Sequence, residues 1–194
     1  MKTAARGAGR PRAASFRTGP VAALLLLLLP ACAVAPPRGE VGIDGIACAI
    51  ADAPVPAALQ ARPELAVPRA AVGASGHGGI CRGRVYEVRE PVQIHRLWEA
   101  RRRDEIGTWW TFRVPTGSRA AYRADYAVCR AWNALDHAVT CTLKPGTLVV
   151  IGPGQSAVCG EKTYPKSPVN QVYVPADARD GSIPAEECSV RGFP

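Results

Sequence analysis

The sequence has no apolar run long enough to cross a membrane. A spanning helix needs about 20 consecutive apolar residues, and the longest block here, Val21 to Leu29, stops at Pro30. A phosphate-cradling G-x-x-x-x-G-K-[ST] loop, a G-x-S-x-G elbow and an H-E-x-x-H zinc helix are also missing, which removes three common routes to catalysis. The cysteines form no C-x-x-C and stand in no tight spacing with histidine, so no metal is expected. Acid is absent ahead of the apolar block. Five of the 24 basic residues lie there, against none of the 16 acidic ones, so the formal charge of +8 falls to about +3 for the remainder. That is an ordinary surface charge, and no nucleic-acid partner is expected. Arg101, Arg102 and Arg103 are followed at once by Asp104 and Glu105, which reads as a solvated charged turn.

What is present begins with an export signal. Lys2, Arg6, Arg10, Arg12 and Arg17 precede the block at Val21 to Leu29, the order of a basic region and a short apolar region in a secretory leader. Leu29-Pro30-Ala31-Cys32 resembles a bacterial lipobox. The resemblance implies a signal peptide over 1–31, cleavage before Cys32 and a diacylglyceryl thioether on that cysteine, with further acylation such as palmitate. One acyl chain binds a membrane only marginally, at about 0.8 kcal/mol per buried CH₂. The expected location is the bacterial cell envelope, with the chain lipid-anchored to a membrane and facing an oxidising compartment. Plain secretion is the alternative, because Ala31-Cys32-Ala33 and Ala33-Val34-Ala35 both fit small-x-small cleavage.

Beyond the anchor, residues 32–79 are dense in Ala, Pro and Gly, with Pro36, Pro37, Pro54, Pro56, Pro63 and Pro68 breaking long elements. They read as a tether with short ordered pieces, ending in a flexible loop at 73–79 where His77 is solvated. The folded domain is expected over 80–194. Strands are expected at 84–90, 92–98, 109–114, 138–143, 147–151, 156–159 and 170–174, from β-formers bounded by Pro and Gly turns. Ser118 is a natural N-cap for a helix over about 118–132, with Tyr122, Tyr126 and Cys129 along one face. The fold class expected is α+β: one small, mainly antiparallel domain with one main helix, stapled by disulfides.

Seven cysteines are an odd number, but a lipid on Cys32 leaves Cys48, Cys81, Cys129, Cys141, Cys159 and Cys188 to pair. Six allow fifteen connectivities. We favour Cys48 with Cys81, Cys129 with Cys141 as a helix-to-strand staple, and Cys159 with Cys188.

The chemistry-bearing residues cluster as His95-Arg96-Leu97-Trp98, Gly107-Thr108-Trp109-Trp110-Thr111 and Asn170-Gln171-Val172-Tyr173-Val174. An arginine on an early strand, a G-x-W-W-T strand followed by a helix, and a polar residue on a late strand resemble the R, S/T and E strands of ADP-ribosyltransferases, over residues 92–175. The resemblance implies that Arg96 grips the dinucleotide NAD, that Thr111 supports the site, and that Gln171 occupies the place of a glutamate that steadies the ribose cation as nicotinamide leaves. Gln171 departs from that pattern, because an amide offers a dipole where the family has a charge. Packing offers a simpler account of the same residues: the four tryptophans as core, Arg96 paired with Glu99 or Asp104, and His137 as a turn residue. Two functions follow. The first is a non-catalytic envelope or binding module with no cofactor, meeting a protein or small-molecule partner. The alternative is an ADP-ribosyltransferase-like enzyme or NAD glycohydrolase, with NAD as substrate.

Overall fold

The computed structural model describes residues 40–102, 106–177, 179 and 182–194; Cys32, the leader, Arg103, Asp104 and Glu105 lie outside them. Among the described residues there are ten strands and one α-helix. In chain order they are β1 (Leu59–Ala61), β2 (Arg84–Val88), β3 (Val92–Trp98), β4 (Trp109–Trp110), α1 (Arg119–Tyr126), β5 (His137–Leu143), β6 (Leu148–Gly154), β7 (Ala157–Cys159), β8 (Lys162–Tyr164), β9 (Ser167–Tyr173) and β10 (Ala185–Gly192). They form a five-stranded sheet, β1-β2-β6-β9-β4, a three-stranded sheet, β10-β5-β3, and the hairpin β7-β8. All strand pairs are antiparallel, so the α+β class read from the sequence holds.

The two larger sheets are joined where β3 passes the end of β4. His95 and Thr111 exchange both backbone hydrogen bonds at 2.8 Å. Strand β3 is also covered on both faces, with Ile94 and Trp98 in the main core and Leu97 in a second cluster with Leu135, Ala138 and Phe193, which explains why its last five residues are all buried rather than alternating. The main core lies between these sheets and includes Ile94, Trp98, Trp110, Val139, Val149 and Val172. Removing one such aliphatic side chain typically costs about 2–5 kcal/mol.

Several expectations need correction. Residues 40–79 are not a free tether, since Leu59 enters the core through β1, Ala71 is fully buried and Cys48 is bonded to Cys81. Prolines forbid long ladders there, but short irregular pieces still pack apolar side chains on the sheet. The loop at 73–79 is pinned rather than loose: Gly78 N donates to Ser156 O at 2.8 Å and Val158 N to Gly76 O at 2.8 Å. The helix starts as expected, with Ser118 Oγ accepting from Ala121 N, but it ends at Tyr126 because Ala127 turns into the left-handed region at φ 50°. That turn removes Cys129 from the helix face. Cys129 joins Ala157 and Tyr164 in a small cluster and bonds Cys159, while Cys141 bonds Cys188 across the bulged β5–β10 pairing. The Cys48–Cys81 pairing is the one of the three that matches; the pairings of Cys129 with Cys141 and of Cys159 with Cys188 do not.

Candidate functional site

A cavity of about 520 Å³ opens between β3, β4, β9, α1 and the loop at 73–79, within the roughly 300–1,000 Å³ usual for small-molecule sites. Its buried wall carries Arg96, Trp110, Tyr126 and Gln171, each less than a tenth exposed. His77, Trp109 and Trp132 line its more accessible part, and Trp132 is 42% exposed.

Alternation along β3 that turns Ile94 and Trp98 into the main core carries Arg96 to the same side. Its guanidinium lies 5.7 Å from the Trp110 ring centre, a cation–π distance. Gly107 makes room for it, because a Cβ there would stand 1.9 Å from Arg96 Nη1. The Trp110 indole in turn donates to Gly107 O at 2.5 Å. Cation, ring and glycine thus brace one another.

Strand β9 presents Gln171 opposite Gly152 of β6. Gln171 Nε2 donates to Tyr126 O, at the end of α1, at 3.2 Å, which orients the amide and leaves its oxygen as the end that accepts. Thr111 does not line the cavity. It is buried behind it and shares a 2.6 Å hydrogen bond with the Tyr126 hydroxyl, while its Oγ1 accepts from Arg113 N at 3.0 Å. Burial pushes the Tyr126 hydroxyl above its ordinary pKa, opposed by the bond to Thr111. Tyr122, one turn earlier, packs against Tyr126 with ring centres 4.4 Å apart and accepts from Leu97 N at 3.3 Å. Burial raises its pKa as well.

Arg96 and Gln171 therefore share one cavity, with Thr111 one layer back through Tyr126. The packing alternatives resolve unevenly. Glu99 pairs with Arg101 and Arg102 and accepts from Ala134 N rather than serving Arg96; Asp104 lies outside the described residues. Trp98 is core, Trp110 is core and also walls the cavity, and Trp109 and Trp132 line its more accessible part. His77 is exposed, as expected of it, and also lines the cavity. His137 opens β5 and bonds Asp136 at 2.9 Å. The residues missed at the sequence level are Tyr122, Tyr126 and Trp132. The first two were visible as an i, i+4 pair on a helix face, but that signal serves packing equally well.

No family model and no curated protein matches the chain. Among solved structures, that of Tne2 in complex with Tni2 superimposes over 58% of this chain and 93% of that one, with a TM-score of 0.43 and 15% identity.

Proposed function

We propose that this chain is an exported protein, anchored by lipid on Cys32, whose cavity binds NAD and cleaves its nicotinamide–ribose bond. Export is supported by the three disulfides among the described residues, which suit an oxidising compartment. The anchor rests on the lipobox resemblance at Leu29 to Cys32.

The observation that carries the catalytic reading is the convergence of Arg96 and Gln171, from strands of two different sheets, on one aromatic-walled cavity, with Thr111 buttressing Tyr126 behind them. Arg96 is a fixed cation suited to the diphosphate of a dinucleotide. As the glycosidic bond breaks, its electron pair passes to the pyridinium nitrogen of nicotinamide, and positive charge builds on the ribose. Water then adds at that carbon and releases a proton. The Gln171 amide, tied down at its nitrogen, turns its negative end toward a ribose hydroxyl or that water. A preorganised dipole of this kind needs no reorganisation as charge develops, which is where enzymes gain most.

A non-catalytic binding module is the second reading, favoured by one observation: among the described residues, no carboxylate lines the cavity. Chromatographic measurement of nicotinamide release separates the two. The first expects release by the unmodified chain and its loss in Arg96→Ala and Gln171→Ala. NAD binding by calorimetry without release would establish the second reading, and neither binding nor release would remove both. Gln171→Glu puts a charge where the amide offers a dipole, and turnover is expected to rise by up to about 10²–10³, the usual worth of one such contact.

A further inference from the structure

Helix α1 has two working faces. Tyr122 and Tyr126 line the cavity already described, whereas Arg119 and Arg123, also four residues apart, line a second hollow of about 460 Å³ together with Arg130, Lys162 and Tyr164. Four cations thus meet in one concavity of a chain whose net charge beyond the leader is only about +3. Among the described residues no acidic side chain lines it.

Three of the cations are held in place by groups other than carboxylate side chains. Arg123 is buried and donates to the carbonyls of Val128, Asn133 and Ala134 at 3.2, 2.7 and 3.1 Å. Arg119 donates to the main-chain oxygens of Phe193 and Pro194 at 2.9 and 3.1 Å. Lys162 stands 4.7 Å over the Tyr164 ring, and Arg130 is exposed beside them. Burial, together with the nearby charges of Arg130 and Arg119, lowers the Arg123 pKa, as expected where like charges are crowded. Arginine keeps its proton even so. Such crowding is relieved by a multiply charged anion, and guanidinium forks beside an ammonium suit phosphate oxygens.

We propose that this hollow is a second binding site, for a phosphate-bearing anion, separate from the cavity on the other face of α1. The phosphate belongs either to a soluble compound or to the headgroup of an anionic phospholipid.

The test uses the full mature chain with Cys32→Ser, so that no lipid on the protein contributes, and with Arg96→Ala, so that the first cavity does not hold the probe's phosphates. Pyrophosphate is titrated by calorimetry, and flotation is measured with phosphatidylcholine vesicles with and without phosphatidylglycerol. Saturable pyrophosphate binding is expected, weakening as salt rises. It should fall about tenfold or more in the double variant Arg130→Gln, Lys162→Gln, which loses two charge-assisted contacts, and stay unchanged in Arg89→Gln, which removes an exposed cation elsewhere on the surface. Both substituted residues of the double variant are exposed, and near-ultraviolet circular dichroism checks that the fold persists. Flotation that needs phosphatidylglycerol and is lost in the double variant identifies the headgroup; pyrophosphate binding without flotation identifies a soluble ligand. Binding that survives the double variant, or falls as far in Arg89→Gln, overturns the proposal, as does saturable binding of neither probe. Because the readout is anion binding and not NAD cleavage, its failure leaves the first site untouched.

Discussion

Replacing Thr111 by valine keeps its shape and removes one oxygen from behind the cavity. Thr111 is 1% exposed and Tyr126 8%, so no water replaces the lost partner and the tyrosine hydroxyl is left buried with an unmade bond. Stranding a buried polar group costs about 1–3 kcal/mol. At about 2 kcal/mol, a domain of this size should lose roughly 4–8 °C in Tm. The second bond lost, from Arg113 N, matters less, because Arg113 is exposed and water reaches it. Tyr126→Phe removes the other partner, and Thr111→Val with Tyr126→Phe removes both, which should cost clearly less than the sum of the single changes. The deficit should be about 1 kcal/mol or more in a double-mutant cycle read by thermal and urea unfolding. The same cycle has a functional arm. Tyr126 O fixes the Gln171 amide, so Thr111→Val alone should weaken NAD binding although Thr111 does not touch the cavity. Strict additivity of the two stability changes would refute the claim that this hydrogen bond braces the site.

Three further outcomes are expected. His95 is buried with Nδ1 2.8 Å from Thr140 Oγ1, and burial, aided by the charge of Arg191, holds its pKa below the ordinary 6.5. Its unfolded form binds a proton first, so unfolding free energy should be level above about pH 6.5, fall as pH drops from there through the folded value, and lose this slope in His95→Gln. Opening the Cys141–Cys188 bond, which spans 47 residues, by substituting both with alanine should cost up to about 4 kcal/mol on the chain-entropy account and expose β10 to limited proteolysis; an unchanged urea midpoint would contradict that. Cys32→Ala should abolish labelling by a fatty-acid probe, and membrane retention that survives the change would count against the lipid anchor.

How much of this was legible in the sequence depends on how local each cause is. Strand β3 was read at its observed bounds because Pro91 and a run of β-formers act within a few residues, and the helix start was read because a serine cap is a local bond. The helix end was not, since Ala127 at φ 50° carries none of the glycine or asparagine signal that marks such a turn. That single residue redirects Cys129 from β5 to β7, and one misplaced cysteine forces a second error, because six must pair among themselves. Strand β10 was invisible for a different reason. Seven of its eight residues are exposed, so it buries no face that alternation could announce, and it is held by its ladder to β5, a disulfide, and side-chain contacts of Glu186 with Lys144 and of Arg191 with Pro115 O. The site divides along the same line. Arg96, Thr111 and Gln171 stand on strands or at their ends, and their residue types suggested a site before their meeting could be known. Their meeting depends on β3 joining the end of β4 and on β9 passing under α1, contacts made across 16 and 45 residues that no local pattern encodes. The 73–79 wall is the extreme case: its glycines read as freedom, yet backbone bonds to residues 156 and 158 hold them. At Gly78, φ is +71° and an added Cβ would lie 3.1 Å from the Trp132 ring. There glycine serves close approach to the cavity's exposed indole, and the same letter that suggested looseness marks a place where the chain is tightly held.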